Sequence, residues 1–147
     1  MIREVTPQDA HDMAVLIKQL SSSHIDITSE MVAAIKAKLS ALTGVEHMKV
    51  FGDEQTGHIV GTCTLGCVEG LSNDCRPFAV IENVVVLETV RGRGIGKQLV
   101  RHAMAQAEKW GCYKVILETG RKEEWKLKFY ESCGLTRGEK TAFIKRF

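Results

Sequence analysis

The segment Arg91-Gly92-Arg93-Gly94-Ile95-Gly96-Lys97 constrains this chain more than any other. It lies between an apolar run, Val84-Val85-Val86, and a stretch of helical periodicity that begins at Ile95. A strand, a glycine-rich turn and a helix start, in that order, leave backbone N–H groups unpaired at the turn. The helix dipole adds partial positive charge at the same place, so the segment is a cradle for an anion. Arg91, Arg93, Lys97 and Arg101 concentrate charge there, although the whole chain carries only +2. That balance suits one small polyanion and argues against a long nucleic acid as the main partner. A glycine-rich turn that binds nothing is the bland alternative; its strand–loop–helix setting speaks against it.

The segment fails two familiar phosphate motifs. Gln98 stands where a Walker A loop needs Ser or Thr, and Arg91 stands where its first glycine belongs. The third glycine of a dinucleotide fingerprint is missing, and the loop falls late in the chain instead of after the first strand.

The remaining elements follow from periodicity and punctuation. A length of 147 residues, with 44% hydrophobic and 26% charged, predicts one soluble domain spanning 1–147. Ile2–Val5 reads as a strand, and Thr6-Pro7-Gln8-Asp9 as the start of a helix reaching about Leu20. A second helix from near Ser29 puts Val32, Ile35, Leu39 and Leu42 on one face and stops at Gly44. Met48–Gly52 and His58–Val68 form a predicted hairpin, 69–77 a loop, and Phe78–Leu87 a strand buried on both faces. Ile95–Trp110 is a strongly amphipathic helix with Leu99, Val100, Ala103, Met104, Ala107 and Trp110 inward. Lys114–Glu118 is a further strand, Glu123–Cys133 a helix ended by Gly134, and Thr141–Arg146 a closing strand. The order β-α-α-β-β-β-α-β-α-β is a mixed α/β layer fold.

Five cysteines (Cys63, Cys67, Cys75, Cys112 and Cys133) make an odd set without a CxxC pair. They predict reduced, mostly buried thiols and a cytoplasmic setting. Cys63 and Cys67 share a strand face, but no histidine follows at a finger-like spacing, so no metal site is expected. No run approaches the roughly 20 apolar residues of a membrane span, and Met1-Ile2-Arg3-Glu4 does not read as a signal peptide.

Arg91-x-x-Gly94-x-Gly96 fits the pattern (Gln/Arg)-x-x-Gly-x-(Gly/Ala), which resembles the pyrophosphate loop of the GNAT acetyltransferases. Phe129-Tyr130-Glu131-Ser132-Cys133-Gly134-Leu135 is similar to the Phe-Tyr-x-x-x-Gly-Phe signature that ends that family's fourth helix. Residues 111–117 and the closing Ile144-Lys145-Arg146-Phe147 resemble the glucosamine 6-phosphate N-acetyltransferase branch. The likeness covers about the last half of the chain; residues 1–75 add only a compatible element order. It implies a GNAT fold, with a mixed sheet splayed between its fourth and fifth strands and about four flanking helices. It also implies acetyl-CoA as acetyl donor and a primary amine as acceptor.

The resemblance assigns roles to individual residues. Val84, Val85 and Val86 pair with the pantetheine arm through their backbone, and Arg91, Gly92, Arg93, Gly94, Ile95, Gly96 and Lys97 hold the phosphates. Glu82 is the candidate base, and Tyr130 the partner of the departing thiolate, while Phe129 is core. Asn83, Tyr113, Lys114, Glu118 and Arg146, with Glu82, face the acceptor, and Lys114, Arg121 and Arg146 cluster to favour an anionic one. A homodimer is implied, in which Arg146 reaches a neighbouring subunit. Glu88 stands where the family often has proline, and the helix start at 123–128 lacks the family's asparagine. The segment from Glu118 to Tyr130 is a few residues longer than in the sugar-phosphate branch. Other acceptors (an aminoalkylphosphonate, polyamine, amino acid or peptide N-terminus) and a non-catalytic acyl-CoA sensor are the competing readings.

Overall fold

The apolar stripe of the helix after the glycine loop decides the layering. Leu99, Val100, Ala103 and Ala107 are fully buried, and they pack on Phe51, Leu65, Ala79 and Ile81 of one sheet face. Met13, Leu16 and Leu39, from two earlier helices, pack with Ile59 and Val85 on the opposite face. Truncating Leu99 to Ala removes a side chain with no exposed surface, at a cost of about 2–5 kcal/mol.

The computed structural model describes residues 1–21 and 26–147. Its sheet contains β1 (Ile2–Glu4), β2 (Met48–Gln55), β3 (His58–Val68), β4 (Phe78–Val86) and β5 (Val115–Leu117), side by side in that order. The first four are antiparallel neighbours, and β5 runs parallel to β4. The helices are α1 (Ala10–Leu20), α2 (Ser29–Leu42), α3 (Ile95–Lys109) and α4 (Glu124–Cys133). No helix among the described residues is long and apolar enough to cross a membrane.

The N-terminal helix signal is correct in kind. Pro7–Asp9 forms a 3-10 turn that feeds α1, and the Asp9 carboxylate accepts from the Thr6 backbone N–H at 2.7 Å and its hydroxyl at 2.9 Å. The same carboxylate takes two hydrogen bonds from the Arg3 guanidinium, at 2.8 and 2.9 Å. Arg3 also pairs with Glu54 of β2, so one arginine ties β1, the helix start and the hairpin together. The hairpin strand β2 extends beyond Gly52 to Gln55, leaving Thr56 and Gly57, both at positive φ, as the turn.

One predicted element does not form. Residues 141–147 carry no strand, and Phe143 and Ile144 are 93% and 69% exposed. A strand needs a neighbour's backbone to pair with, and β5 at the open edge of the sheet is only 3 residues long.

A bulge in β4 positions everything that follows. Glu82 pairs with Thr64 of β3 but Val85 pairs with Thr62, so β4 carries one extra residue over that interval. Asn83 absorbs it at φ +55°, in the left-handed region that asparagine tolerates better than most residues. The extra residue reverses the alternation. Ala79 and Ile81 face α3, whereas Val85 joins the α1–α2 side and Val84 and Val86 turn toward α3.

Candidate active site

The parallel pairing of β4 and β5 covers only Ala79 with Val115, Val80 with Ile116 and Ile81 with Leu117. Beyond Ile81 the strands part, and a cleft of about 830 Å³ opens between them. That volume is in the range of sites for small molecules and cofactors. Glu82 and Glu118, each one residue past the last paired position, stand at the apex of the fork and line the cleft.

Along the open edge of β4 the backbone is only partly occupied. The Leu87 N–H donates to Val60 on the β3 side, so alternation turns the N–H and C=O of Val84 and Val86 toward the gap. The Val86 carbonyl is already taken, by Gln19 Nε2 at 3.0 Å and Arg91 Nε at 3.1 Å. Gln19 Oε1 also accepts from the Glu88 N–H at 3.2 Å. A single amide from α1 therefore ties down the end of β4 and the Glu88–Val90 turn. No pattern in the sequence pointed to Gln19, because its partners are backbone groups far along the chain.

The glycine loop closes the mouth of the cleft. Gly94 caps α3 at φ +81°, with no side-chain capping bond and no acid in the first turn, so the helix presents bare N–H groups. A Cβ at Gly94 would meet nothing within 4 Å, so the approach is open to a phosphate. Gly96 lines the same cleft. A Cβ there would stand 3.1 Å from Phe129 Cζ, so this glycine also lets α4 pack close on α3. Arg91 is engaged within the loop by Val86 and by Glu88 at 3.2 Å, while Lys97 lines the cleft.

Tyr130 lines the cleft beside Phe129, their rings 5.0 Å apart and edge to face. Burial is the main cause that raises its phenol above the usual 10, with Cys133 and Glu82 adding to it, so the hydroxyl keeps its proton and is a donor.

Most of the sequence-predicted residues converge on this cleft: Glu82, Asn83, Val84, Val85, Val86, Arg91, Gly92, Gly94, Ile95, Gly96, Lys97, Glu118 and Tyr130. Arg93 is exposed and is not among its lining residues. Tyr113 and Lys114 lie elsewhere: the Lys114 ammonium sits 5.1 Å from the Phe78 ring and 5.2 Å from that of Tyr113. Arg146 is in the exposed tail, so of the expected cationic trio only Arg121 lines the cleft. Tyr113 and Lys114 precede β5, and their backbones bond to Pro77 and Ala79, so they sit at the end of the strand pair away from the fork. Sequence reading also missed Leu20, Thr119 and Trp125 as lining residues. Among the described residues, no group of three or more His, Cys, Asp or Glu is placed to hold a metal ion.

Comparison with known proteins agrees with this geometry. Residues 19–135 match the Acetyltransferase (GNAT) family. A glucosamine 6-phosphate N-acetyltransferase of Trypanosoma brucei brucei is 31% identical over 137 residues, 88% of this chain and 91% of that protein. A provisionally assigned acetyltransferase from Agrobacterium tumefaciens str. C58 superimposes with TM-score 0.88 and 36% identity, covering 99% of both chains. The glucosamine-6-phosphate N-acetyltransferase of Arabidopsis thaliana superimposes with TM-score 0.78 at 27% identity, over 100% of this chain and 97% of that one. The match spans the forked β4–β5 pair, the glycine loop and the two helices beside it, and the chain belongs to the GNAT acetyltransferase family.

Proposed function

We propose that the chain acts as a single GNAT domain that acetylates the amine of a phosphorylated amino sugar, glucosamine 6-phosphate being the leading candidate. The observation that carries the reading is the fork between β4 and β5, which sets two carboxylates beside an open strand edge and a protonated phenol. Two of the similar proteins are named for acetylation of glucosamine 6-phosphate, which supports that acceptor.

Acetyl-CoA supplies an activated acyl thioester, so the protein must free the amine lone pair, polarise the carbonyl and relieve the charge on sulfur. The backbone N–H groups of the Val84–Val86 segment are the donors for the carbonyl oxygen, and Gly92 to Lys97 hold the diphosphate. Glu82 takes the ammonium proton, directly or through a water, while Glu118 helps to hold the acceptor nitrogen and Asn83 orients it. Tyr130 donates its hydroxyl hydrogen bond to the departing sulfur. Burial holds the phenol above its usual 10, so it keeps its proton in preference to passing it on. Tyr130 therefore stabilises the leaving group chiefly as a hydrogen-bond donor. No residue forms an acyl intermediate, so the kinetics are sequential.

The reduced, largely buried thiols favour a cytoplasmic location. The family resemblance and the exposed Phe143, Ile144 and Phe147 favour a homodimer, across which Arg146 could meet a neighbour's acceptor. Tyr113 and Lys114 are kept as acceptor contacts only in such an assembly. Light scattering that gives a monomer mass at micromolar concentration would reject the dimer.

The deciding experiment is thiol release from acetyl-CoA with glucosamine 6-phosphate, glucosamine and an aminoalkylphosphonate in parallel. Preference for the phosphorylated sugar is expected. Equal turnover of glucosamine and its phosphate would reject the anionic acceptor.

A further inference from the structure

The helix pair behind the glycine loop carries an aromatic that the acetyl-transfer reading leaves unused. Phe129 packs on Gly96, and Arg101 Nη2 reaches the Ser132 carbonyl at 3.5 Å, so α3 and α4 run side by side in the same direction. The first turn of α4 therefore stands next to the glycine loop. Trp125 lies one turn before Phe129 on the same helix stripe, about 6 Å nearer that loop. Its indole is 67% exposed, yet it lines the cleft. A large aromatic held open on a cleft wall is a surface prepared for a flat ligand.

The charges around it favour an anion. The Lys126 ammonium lies 5.2 Å from the Trp125 ring centroid, and Arg121 lines the same wall. The two acids nearby are offset. Glu124 is held by Arg137 at 2.9 and 3.1 Å, and Glu123 faces Arg121 at 4.0 Å. Coenzyme A bears an adenosine with a 3′-phosphate beyond its diphosphate, so a diphosphate on the glycine loop leaves the nucleoside within reach of this turn. The reacting end lies elsewhere, since Tyr130 is five residues, about 7.5 Å of helix rise, further along α4.

We infer that Trp125 is the stacking platform for the adenine of coenzyme A, with Lys126 and Arg121 receiving its 3′-phosphate. The inference rests on acetyl-CoA as donor and deepens that reading by assigning the residues that recognise the nucleotide end. Stacking a base on an aromatic side chain contributes about 1–3 kcal/mol, equivalent to a 5- to 150-fold change in affinity.

The test uses fluorescence and calorimetry. The chain has two tryptophans, and Trp110 sits at the other end of α3, 5.4 Å from the His47 ring. In a Trp110→Phe background Trp125 is the sole indole. Its emission should be quenched by coenzyme A and by adenosine 3′,5′-bisphosphate, and not by S-acetyl-4′-phosphopantetheine, which lacks the nucleoside. Trp125→Ala should weaken coenzyme A binding by about 10-fold or more and leave S-acetyl-4′-phosphopantetheine binding within twofold. Lys126→Ala should narrow the preference for coenzyme A over dephospho-coenzyme A. Equal weakening of both donors in Trp125→Ala, or no weakening at all, would overturn the platform while leaving the acetyltransferase intact. Failure of the wild-type protein to bind any of these donors would instead overturn the acetyl-CoA reading, and the platform with it.

Discussion

The edge of the Phe129 ring occupies the space into which a side chain on Gly96 would project, 3.1 Å from the position of its Cβ. Gly96→Val should therefore push Phe129 outward and move its neighbour Tyr130, at a cost of about 1–3 kcal/mol. Gly94→Ala meets no atom but strains a left-handed residue, by about 1–2 kcal/mol, and places a methyl group where the phosphate approaches. Thermal unfolding with kinetics separates them: Gly96→Val loses kcat and Tm together, and Gly94→Ala chiefly loses acetyl-CoA affinity. Wild-type kcat and Tm in Gly96→Val would contradict the packing role.

Asn83 holds the β4 bulge at φ +55°. Asn83→Gly should leave stability unchanged or raise it by a few tenths of a kcal/mol. Asn83→Val should cost about 1–2 kcal/mol and disturb the strand edge that follows. Urea unfolding measures the first effect and acetyl-CoA calorimetry the second. Equal stability of the Gly and Val variants would mean that the bulge is not fixed by this residue.

Tyr130→Phe removes a donor and little volume, so acetyl-CoA affinity should hold while single-turnover chemistry falls by about 10²–10³-fold. Glu82→Gln should also slow single-turnover chemistry, because the amine then loses its proton acceptor. Single-turnover measurement is needed because slow product release would hide both effects. Unchanged chemistry in Tyr130→Phe would remove the hydroxyl from the mechanism.

The Arg3 guanidinium is the main cause that holds the Asp9 carboxyl down at about 2 against an ordinary 3.8. A lowered folded-state pKa gives stability that is fully present above about pH 4 and lost as the pH falls toward 2. Partial solvation limits it to about 1 kcal/mol. Denaturant titrations at pH 6 and pH 3 should show that loss in the wild type and a smaller one in Asp9→Asn. Equal pH slopes in both proteins would count against the Arg3–Asp9 link.

The five cysteines should react unequally. Burial pushes Cys63 up to about 12, and burial together with the Cys112 thiol, 3.2 Å away, does the same to Cys67. Cys75 is exposed. A thiol reagent at pH 8 should show one fast phase that Cys75→Ser abolishes. A second fast thiol in the native protein would show that a buried cysteine opens readily.

The sequence alone determined the local devices. The apolar run before Arg91, the glycines after it and the stripe from Leu99 to Ala107 depend on neighbours in the chain, so the strand, anion loop and helix were readable together. The Phe129-Tyr130 pair and Gly134 were readable for the same reason. Tertiary structure decided what depends on contacts between distant segments. The parallel register of β4 and β5 set Glu118 and Glu82 together at the fork and put Lys114 at the other end, against Phe78. Gln19 reached Val86 across 67 residues, through backbone groups that carry no residue signature. That Gly96 also makes room for the Phe129 ring became visible only with α4 packed on α3. Thr141–Arg146 had the composition of a strand, but hydrogen bonds to a partner make a strand, and none of the described strands pairs with it.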